Sequence, residues 1–516
     1  MLVGALALGL TATTLPADAE VRATESTATA PATPESPETT APTESRGLTG
    51  SATSPAPEPS AKALAAAASP YPGDFPVTLE SNFSRPYKSI SSAGNSDFSL
   101  LDDLERLIRG SYIDPRNNKY RATSSIRSNY VYMSISRMEN SHRVGRELIR
   151  AAKKGVKVRV IHGVASQSKE SRALQKALNS SSLRDASFKI CQKGKSNACL
   201  SSARGAIMHS KILMVNNTFT RDKKNAKGAI WSGSANLGGP SGERTYNNGL
   251  TVYNDKKLWV QASRMWSDMA AERNVGNDYL SYVSKRNESY GLSASDPVAS
   301  LYRNHTASTK GMFYSDLANV TIYPTPIAAT PTNNRDPVIA MLKRIVPDDQ
   351  CRIRLQQNRF KYRRIAVAQK LVELANEGCK VSIVGFEDDL AHNRAAHCQQ
   401  YLRICRPILD VFKTANNRIE AAYAKPHDKT ILVEAKMVRS YLNVEELDLD
   451  GNLYPEDPAD AVRTKLVQAG SAALTGSNLI VSDEITTETT DPAIYDDYLE
   501  HWKSILKSRE YTNYPY

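Results

Sequence analysis

Apolar and polar residues alternate over Val131-Tyr132-Met133-Ser134-Ile135, which predicts a strand with one face on a core. Beyond it Val144, Leu148, Ile149 and Ala152 recur at helical spacing, and Gly155 stands where a left-handed helix stop belongs. Residues 156–161 (Val-Lys-Val-Arg-Val-Ile) predict the next strand. The same succession returns later in the chain. Cys351-Arg352-Ile353-Arg354-Leu355 alternates, Ile365, Ala368, Leu371, Val372 and Ala375 mark a helix face, Gly378 stops it, and residues 379–384 form a strand. Strand, helix, glycine, strand is a βαβ unit, which implies parallel pairing and a right-handed crossover. Upstream of each unit lies a further pair of elements. Val77-Thr78-Leu79 leads through Pro86 to a helix around residues 100–108, and Val320-Thr321-Ile322 leads through Pro324 and Pro326 to one around residues 338–346. Elements matching in the same order predict two similar α/β lobes, each a mixed β-sheet flanked by helices.

At 516 residues the chain exceeds the size at which one core stops growing, and two lobes fit that length. The expected organisation is an export signal over 1–19, a linker over 20–70, a first lobe over 71–310 and a second over 311–516. The signal rests on an apolar run (residues 2–10) followed by Ala17-Asp18-Ala19, a small-x-small cleavage pattern, although no basic residue precedes the run. The linker is rich in Thr, Pro, Ala, Ser and Glu, a composition that buries too little apolar surface to offset its ordering entropy. No later stretch has the length and apolarity of a transmembrane helix. The six cysteines suit an oxidising compartment, with Cys191–Cys199, Cys351–Cys379 and Cys398–Cys405 as the pairings nearest in sequence. His397 beside Cys398 completes no zinc spacing, so neither a metal nor another cofactor is expected.

Chemistry enters with a second repeat. Met208-His209-Ser210-Lys211 and Pro426-His427-Asp428-Lys429 each run into an apolar strand. Residues two apart on a strand share a face, so each His and Lys aim together. Each pair precedes a turn of small residues carrying an asparagine: Gly233-Ser234-Ala235-Asn236, and Thr475-Gly476-Ser477-Asn478. Small residues let backbone N–H groups approach a phosphate, and the amide adds a donor. Cleaving a phosphodiester needs a nucleophile, a proton donor for the leaving oxygen and cations for the non-bridging oxygens. Two histidines divide the first two tasks and two lysines supply the charge. One His-x-Lys alone means little; two, each inside a repeated unit, carry the inference.

The doubled motif resembles that of the phospholipase D superfamily, whose pattern is His-x-Lys, four residues, Asp, then a Gly-Ser-x-Asn turn, and the resemblance covers roughly residues 71–516. It implies a pseudo-twofold enzyme with its active site between the lobes and a covalent phosphohistidine intermediate. By that resemblance His209 is the nucleophile and His427 the acid and then the base, with Lys211, Lys429, Ser234, Asn236, Ser477 and Asn478 on the phosphate. Glu484 is the expected carboxylate orienting His427, with Glu243 a weaker counterpart for His209. The chain departs from the pattern at Asn216 and Glu434, which occupy the Asp positions, and in the second turn, where Gly-Ser falls one place late. The stretch from His427 to Asn478 is nearly twice that from His209 to Asn236, which predicts an insertion over residues 437–465. Its acidic centre (Glu445 to Asp450) lacks the spacing of a calcium loop and reads as a flap over the cleft.

A net charge of +12 favours polyanionic partners without choosing among them. A phospholipid at a membrane surface is the first expectation, since 24 Tyr against 9 Phe and 4 Trp offer side chains suited to an interface. The activity expected is hydrolysis or transfer of a phospholipid head group by a secreted enzyme. A secreted nuclease using the same chemistry is the alternative, although the basic run Lys223-Lys224-Asn225-Ala226-Lys227 reads as a solvated loop. A binding protein that has lost catalysis is a third reading, opposed by the two intact His-x-Lys pairs. Internal duplication brings two motifs together in one chain, so a monomer is expected.

Overall fold

The β-branched and aliphatic runs picked out by alternation become the central strands of two sheets built on one plan. The computed structural model describes residues 75–86, 96–139, 143–163, 167–192, 196–273, 275–286, 313–315, 319–329, 336–386, 404–438, 461–508 and 512–513. All of them belong to the unit Ser69–Tyr516. The expected export signal, the linker, the boundary near 310 and the acidic centre of the insertion lie outside the described residues.

The first sheet contains β1 (Thr78–Ser84), β2 (Tyr130–Ile135), β3 (Lys157–Gly163), β4 (Ser187–Cys191), β5 (Ile212–Phe219), β6 (Asn225–Gly233) and β7 (Asn247–Tyr253). The second repeats it with β8 (Val320–Pro324), β9 (Arg352–Gln357), β10 (Lys380–Phe386), β11 (Glu420–Ala424), β12 (Lys429–Met437), β13 (Val462–Gly470) and β14 (Ile485–Thr489). Strand order is β1-β7-β6-β5-β2-β3-β4 in one and β8-β14-β13-β12-β9-β10-β11 in the other. In each sheet the βαβ strands run parallel to one another. The other pairings between these strands are antiparallel. The second sheet gains Phe313–Ser315 beside β8, Thr512–Asn513 beside β11, and Ile345–Val346 against the far end of β12.

Helices α1 (Ser99–Gly110) and α2 (Arg143–Lys153) serve the first lobe, and α3 (Lys256–Ala270) follows β7. Their counterparts are α4 (Pro337–Lys343), α5 (Ile365–Asn376) and α6 (Pro492–Leu506). Asp336 and Asp491 cap α4 and α6 through side-chain oxygens, each with proline in the first turn, where a missing N–H costs nothing. Gly155 and Gly378, at φ +100 and +116, end the two βαβ helices as expected of left-handed stops.

Alternation along the strands sorts the cores. Leu213 and Val215 of β5 face α1 and α2, while Ile212 and Met214 face Trp259 and Trp266 of α3. Ile431 and Val433 of β12 join the α4–α5 core, and Leu432 turns to Tyr495, Tyr498 and Trp502 of α6. The two inner cores mix the lobes: Val320, Ile322 and Ile485 join the first lobe's, and Phe83, Tyr246 and Leu250 join the second's. Where the sheets meet, buried Ser232 and Thr487 hydroxyls hydrogen-bond at 2.8 Å.

Three local expectations are corrected. The helix predicted to reach Val346 ends at Lys343, because Ile345 and Val346 pair with Met437 and Lys436. Ile365 is 36% exposed, and Val367 takes its place in the core. The insertion is narrower than predicted, since residues 462–465 already belong to β13, paired with β12. Asn216 and Glu434 serve the framework: Asn216 Oδ1 accepts from Tyr130 N–H at 2.8 Å, and Glu434 accepts from the Tyr495 hydroxyl. Cys191–Cys199 and Cys351–Cys379 form disulfides, whereas Cys398 lies outside the described residues. Among the described residues no helix is long and apolar enough to cross a membrane.

Leu213 is fully buried on the helix-facing side of the strand that follows the first motif. Leu213→Ala should cost about 3 kcal/mol, read from the urea midpoint, because the rigid β5 neighbours cannot close the void. A loss below about 1 kcal/mol would contradict this packing.

Candidate active site

Each histidine stands just ahead of a central strand, and the opposite lobe fixes its backbone. His209 N–H donates to Asp483 O at 2.9 Å, and Asp483 N–H donates to Ile207 O at 3.0 Å. Symmetrically, His427 N–H donates to Tyr246 O at 2.8 Å, and Tyr246 N–H donates to Lys425 O at 3.1 Å. Asp483 lies just before β14, and Tyr246 just before β7. These crossed bridges place each His beside the first residue after the other lobe's bridge.

The side chains follow the backbone. Glu484 lies 2.8 and 3.0 Å from His209 Nδ1 through its two carboxylate oxygens. Asn247 Oδ1 lies 3.0 Å from His427 Nδ1. An acceptor at Nδ1 fixes the tautomer with its proton there, so Nε2 is the ring nitrogen not engaged in orientation. The expectation that Glu484 orients His427 is therefore corrected: it orients His209, across the lobes. Glu484 also fills the role foreseen for Glu243, and Asn247 is its neutral counterpart.

The turns are corrected in the same way. Ser234 N–H donates to Asn248 O, and Asn248 N–H donates to Ser234 Oγ, both at 3.0 Å. In the second lobe Ser471 N–H donates to Ile485 O at 2.8 Å and Ile485 N–H donates to Ser471 Oγ at 3.0 Å. The counterpart of Gly233-Ser234-Ala235-Asn236 is thus Gly470-Ser471-Ala472-Ala473, with alanine where the first lobe has Asn236. Both serine hydroxyls serve the orienting residues: Ser234 Oγ donates to Asn247 Oδ1 at 3.2 Å, and Ser471 hydrogen-bonds Glu484. Asn236 Oδ1 is buried with no hydrogen-bond partner among the described residues. Ser477 is exposed on a short helix (Gly476–Ile480) capped by Thr475. Asn478 donates its side-chain amide to Glu484, which makes it a support for the carboxylate.

Lys211 and Lys429 are buried and donate to the carbonyls of His209 and His427 respectively, the first at 2.7 Å. Burial pulls Lys211 down to about 7 against the raising pull of Glu484. Burial, and then Lys211, hold Lys429 well below the ordinary lysine range. Burial pushes Glu484 up to about 7, opposed by Lys211. His209 is held well below the usual imidazole range, first by burial and then by Lys211, Lys429, Arg359 and Arg137. Neither arginine belongs to a His-x-Lys motif or its small-residue turn. Arg137 and Arg359 sit two residues past β2 and β9, at equivalent places in the repeat, and a strand-by-strand alignment of the halves brings them into register. The assembled groups bring two imidazoles and two amines together, with Arg137 and Arg359 adding positive charge near His209. Among the described residues no group of three or more His, Cys, Asp or Glu is placed to hold a metal ion; His397 and Cys398 lie outside them.

Residues 121–267 match the family model described as cardiolipin synthase, PLD-like domain. A comparison with curated proteins finds no match. Among solved structures, phosphatidylserine synthase of Haemophilus influenzae Rd KW20 is similar at 10% identity over 86% of this chain and 90% of that one, with a TM-score of 0.48. Polyphosphate kinase from Porphyromonas gingivalis is similar at 11% identity and a TM-score of 0.41, covering 82% of this chain, which spans 49% of the kinase. Nuc, a phospholipase D family member from Salmonella typhimurium, is similar at 14% identity and a TM-score of 0.25 over 38% of this chain and 95% of that one. The matched domain over residues 121–267 and the doubled His-x-Lys motif support membership of the phospholipase D superfamily.

Proposed function

We propose that the chain is a secreted phosphodiesterase of the phospholipase D type that hydrolyses or transfers phospholipid head groups, with His209 as nucleophile. The observation that carries the assignment of roles is the unequal pair of Nδ1 partners, a carboxylate for His209 and an amide oxygen for His427. As His209 Nε2 bonds to phosphorus, positive charge grows on its ring, and the Glu484 carboxylate stabilises that charge. The neutral Asn247 stabilises an imidazolium less, so His427 gives its Nε2 proton more readily to the departing alkoxide oxygen as the P–O bond breaks. His427 then takes a proton from water or an alcohol, whose oxygen bonds to phosphorus while the P–N bond to His209 breaks. Lys211, Lys429 and Asn236 face the non-bridging oxygens. An incoming diester anion favours the charged form of both lysines, offsetting the burial that depresses them.

Two features support lipid and an extracellular setting. Tyr362, Arg363 and Ile365 are exposed side by side shortly after Arg359, while Arg364 is buried against Asp336. Aromatic, aliphatic and cationic side chains together suit an anionic membrane surface. The disulfides suit an oxidising compartment.

Purified chain offered phosphatidylcholine vesicles and plasmid DNA should release choline without nicking; nicking without choline release would sink the lipid reading and favour the nuclease. Glu484→Gln should lower kcat about 100-fold or more on the responsive substrate, and undiminished turnover in this variant or in His209→Ala would remove the nucleophile assignment.

Lys211 also predicts a stability effect. Its folded pKa of about 7 lies below the ordinary 10.5, so folding expels a proton between those values. The resulting penalty is absent above pH 10.5 and complete below pH 7. Lys211→Met should therefore stabilise the fold at pH 6 and do so less at pH 9, by urea unfolding at each pH, while abolishing turnover. Destabilisation at pH 6 would contradict the buried-amine account.

A further inference from the structure

The residue between His427 and Lys429 points away from the site and into the protein. Asp428 is fully buried; its Oδ1 accepts from Asn248 Nδ2 at 2.7 Å, and its Oδ2 lies 2.9 Å from His501 Nε2. His501, on α6, is also fully buried. Arg85, just past β1, donates Nε–H to His501 Nδ1 at 3.3 Å. With Nδ1 accepting, the ring proton is on Nε2 and is donated to Asp428. Phe83 stacks on the ring at 4.4 Å between centroids, and Tyr246 meets it edge-on at 5.9 Å.

Two partners of this dyad lead back to His427. Asn248 follows Asn247, the residue on His427 Nδ1, and Tyr246 carries the carbonyl that holds His427 N–H. In the first motif the corresponding residue is Ser210, whose hydroxyl meets Ser134 at 2.8 Å, a neutral contact within one lobe. The second motif uses a buried carboxylate accepting from a neutral imidazole, a contact that joins β1 and β7 of the first lobe to α6 and the motif of the second. A buried carboxylate left with one donor seeks water or another cation, and the chain beside it moves.

We propose that His501 is a positioning residue for the reaction: by holding Asp428 it fixes the segment that carries His427 and Lys429. This inference rests on the reading that His427 takes part in the chemistry. The role asks for a ring that donates at Nε2 and fills the space between Phe83 and Tyr246. Glutamine keeps the donor, and phenylalanine keeps the volume alone.

The test uses the full chain with bis(p-nitrophenyl) phosphate as probe. His501→Phe should lower kcat about tenfold or more with KM within about twofold, while His501→Gln recovers most of the loss, each normalised to folded protein by thermal melt. The double variant His501→Phe/Asp428→Asn should be no worse than His501→Phe alone, because removing the carboxylate's charge removes the need for its partner. Independently of any variant's folding, 15N-histidine NMR of the wild-type chain should show His501 as the neutral Nε2–H tautomer. Full turnover in His501→Phe, equal impairment in His501→Gln, additive losses in the double variant, or an Nδ1–H tautomer would each overturn the proposal. Full turnover in His427→Ala would instead remove the reading beneath it.

Discussion

Two short backbone bridges, from His209 to Asp483 and from His427 to Tyr246, govern the geometry of the site. Each ties the approach to a central strand in one lobe to the approach to a central strand in the other. A hydrogen bond inside a buried, low-dielectric junction is costly to leave unmade, so the lobes cannot slide past one another without exposing these groups. Because the bridges cross, the group orienting each histidine comes from the opposite lobe. The Asp483 carboxylate reinforces one crossing by accepting from Cys199 and Leu200 N–H, which links it to the disulfide loop closed by Cys191 and Cys199.

Around those bridges the protein gathers charges that burial disfavours. Lys211, Lys429 and Glu484 sit where water is excluded, His209 is partly open beside them, and each of the four is displaced from its ordinary protonation range. Apolar replacements would give a more comfortable junction. What the arrangement gains is a set of donors already oriented toward an anion, with little reorganisation left when one arrives. The two halves also differ in chemistry. A carboxylate backs His209 and an amide backs His427, and Asn236 has only Ala473 as its counterpart. Symmetry of fold with asymmetry of polar groups is what a reaction needs when one imidazole attacks and the other moves protons.

Much of this was legible in the chain. The βαβ units announce themselves through strand alternation, helical spacing and the glycines at 155 and 378, all local signals. The motifs were legible because His and Lys two apart recur before each apolar strand, and the two disulfides because their cysteines lie near one another in sequence. The orienting partners were not. Glu484 lies in the same half as His427, and only the crossing of the lobes takes it to His209. The second turn was misplaced because Ala473 replaced the expected asparagine, while Thr475-Gly476-Ser477-Asn478 offered one nearby. The insertion between β12 and β13 removed spacing as a guide. Ile365 satisfied the helical pattern yet faces outward, since Tyr362–Arg364 forms a separate 3-10 turn that offsets the start of α5.

The central claim is that one histidine, and a particular one, becomes bonded to phosphorus. Rapid alkaline quench during turnover of a slow diester substrate, followed by peptide mass spectrometry, reads this directly. A phosphoramidate is expected on the peptide containing His209 and none on the peptide containing His427. Modification of His427 alone would contradict it, as would full turnover with neither histidine ever modified.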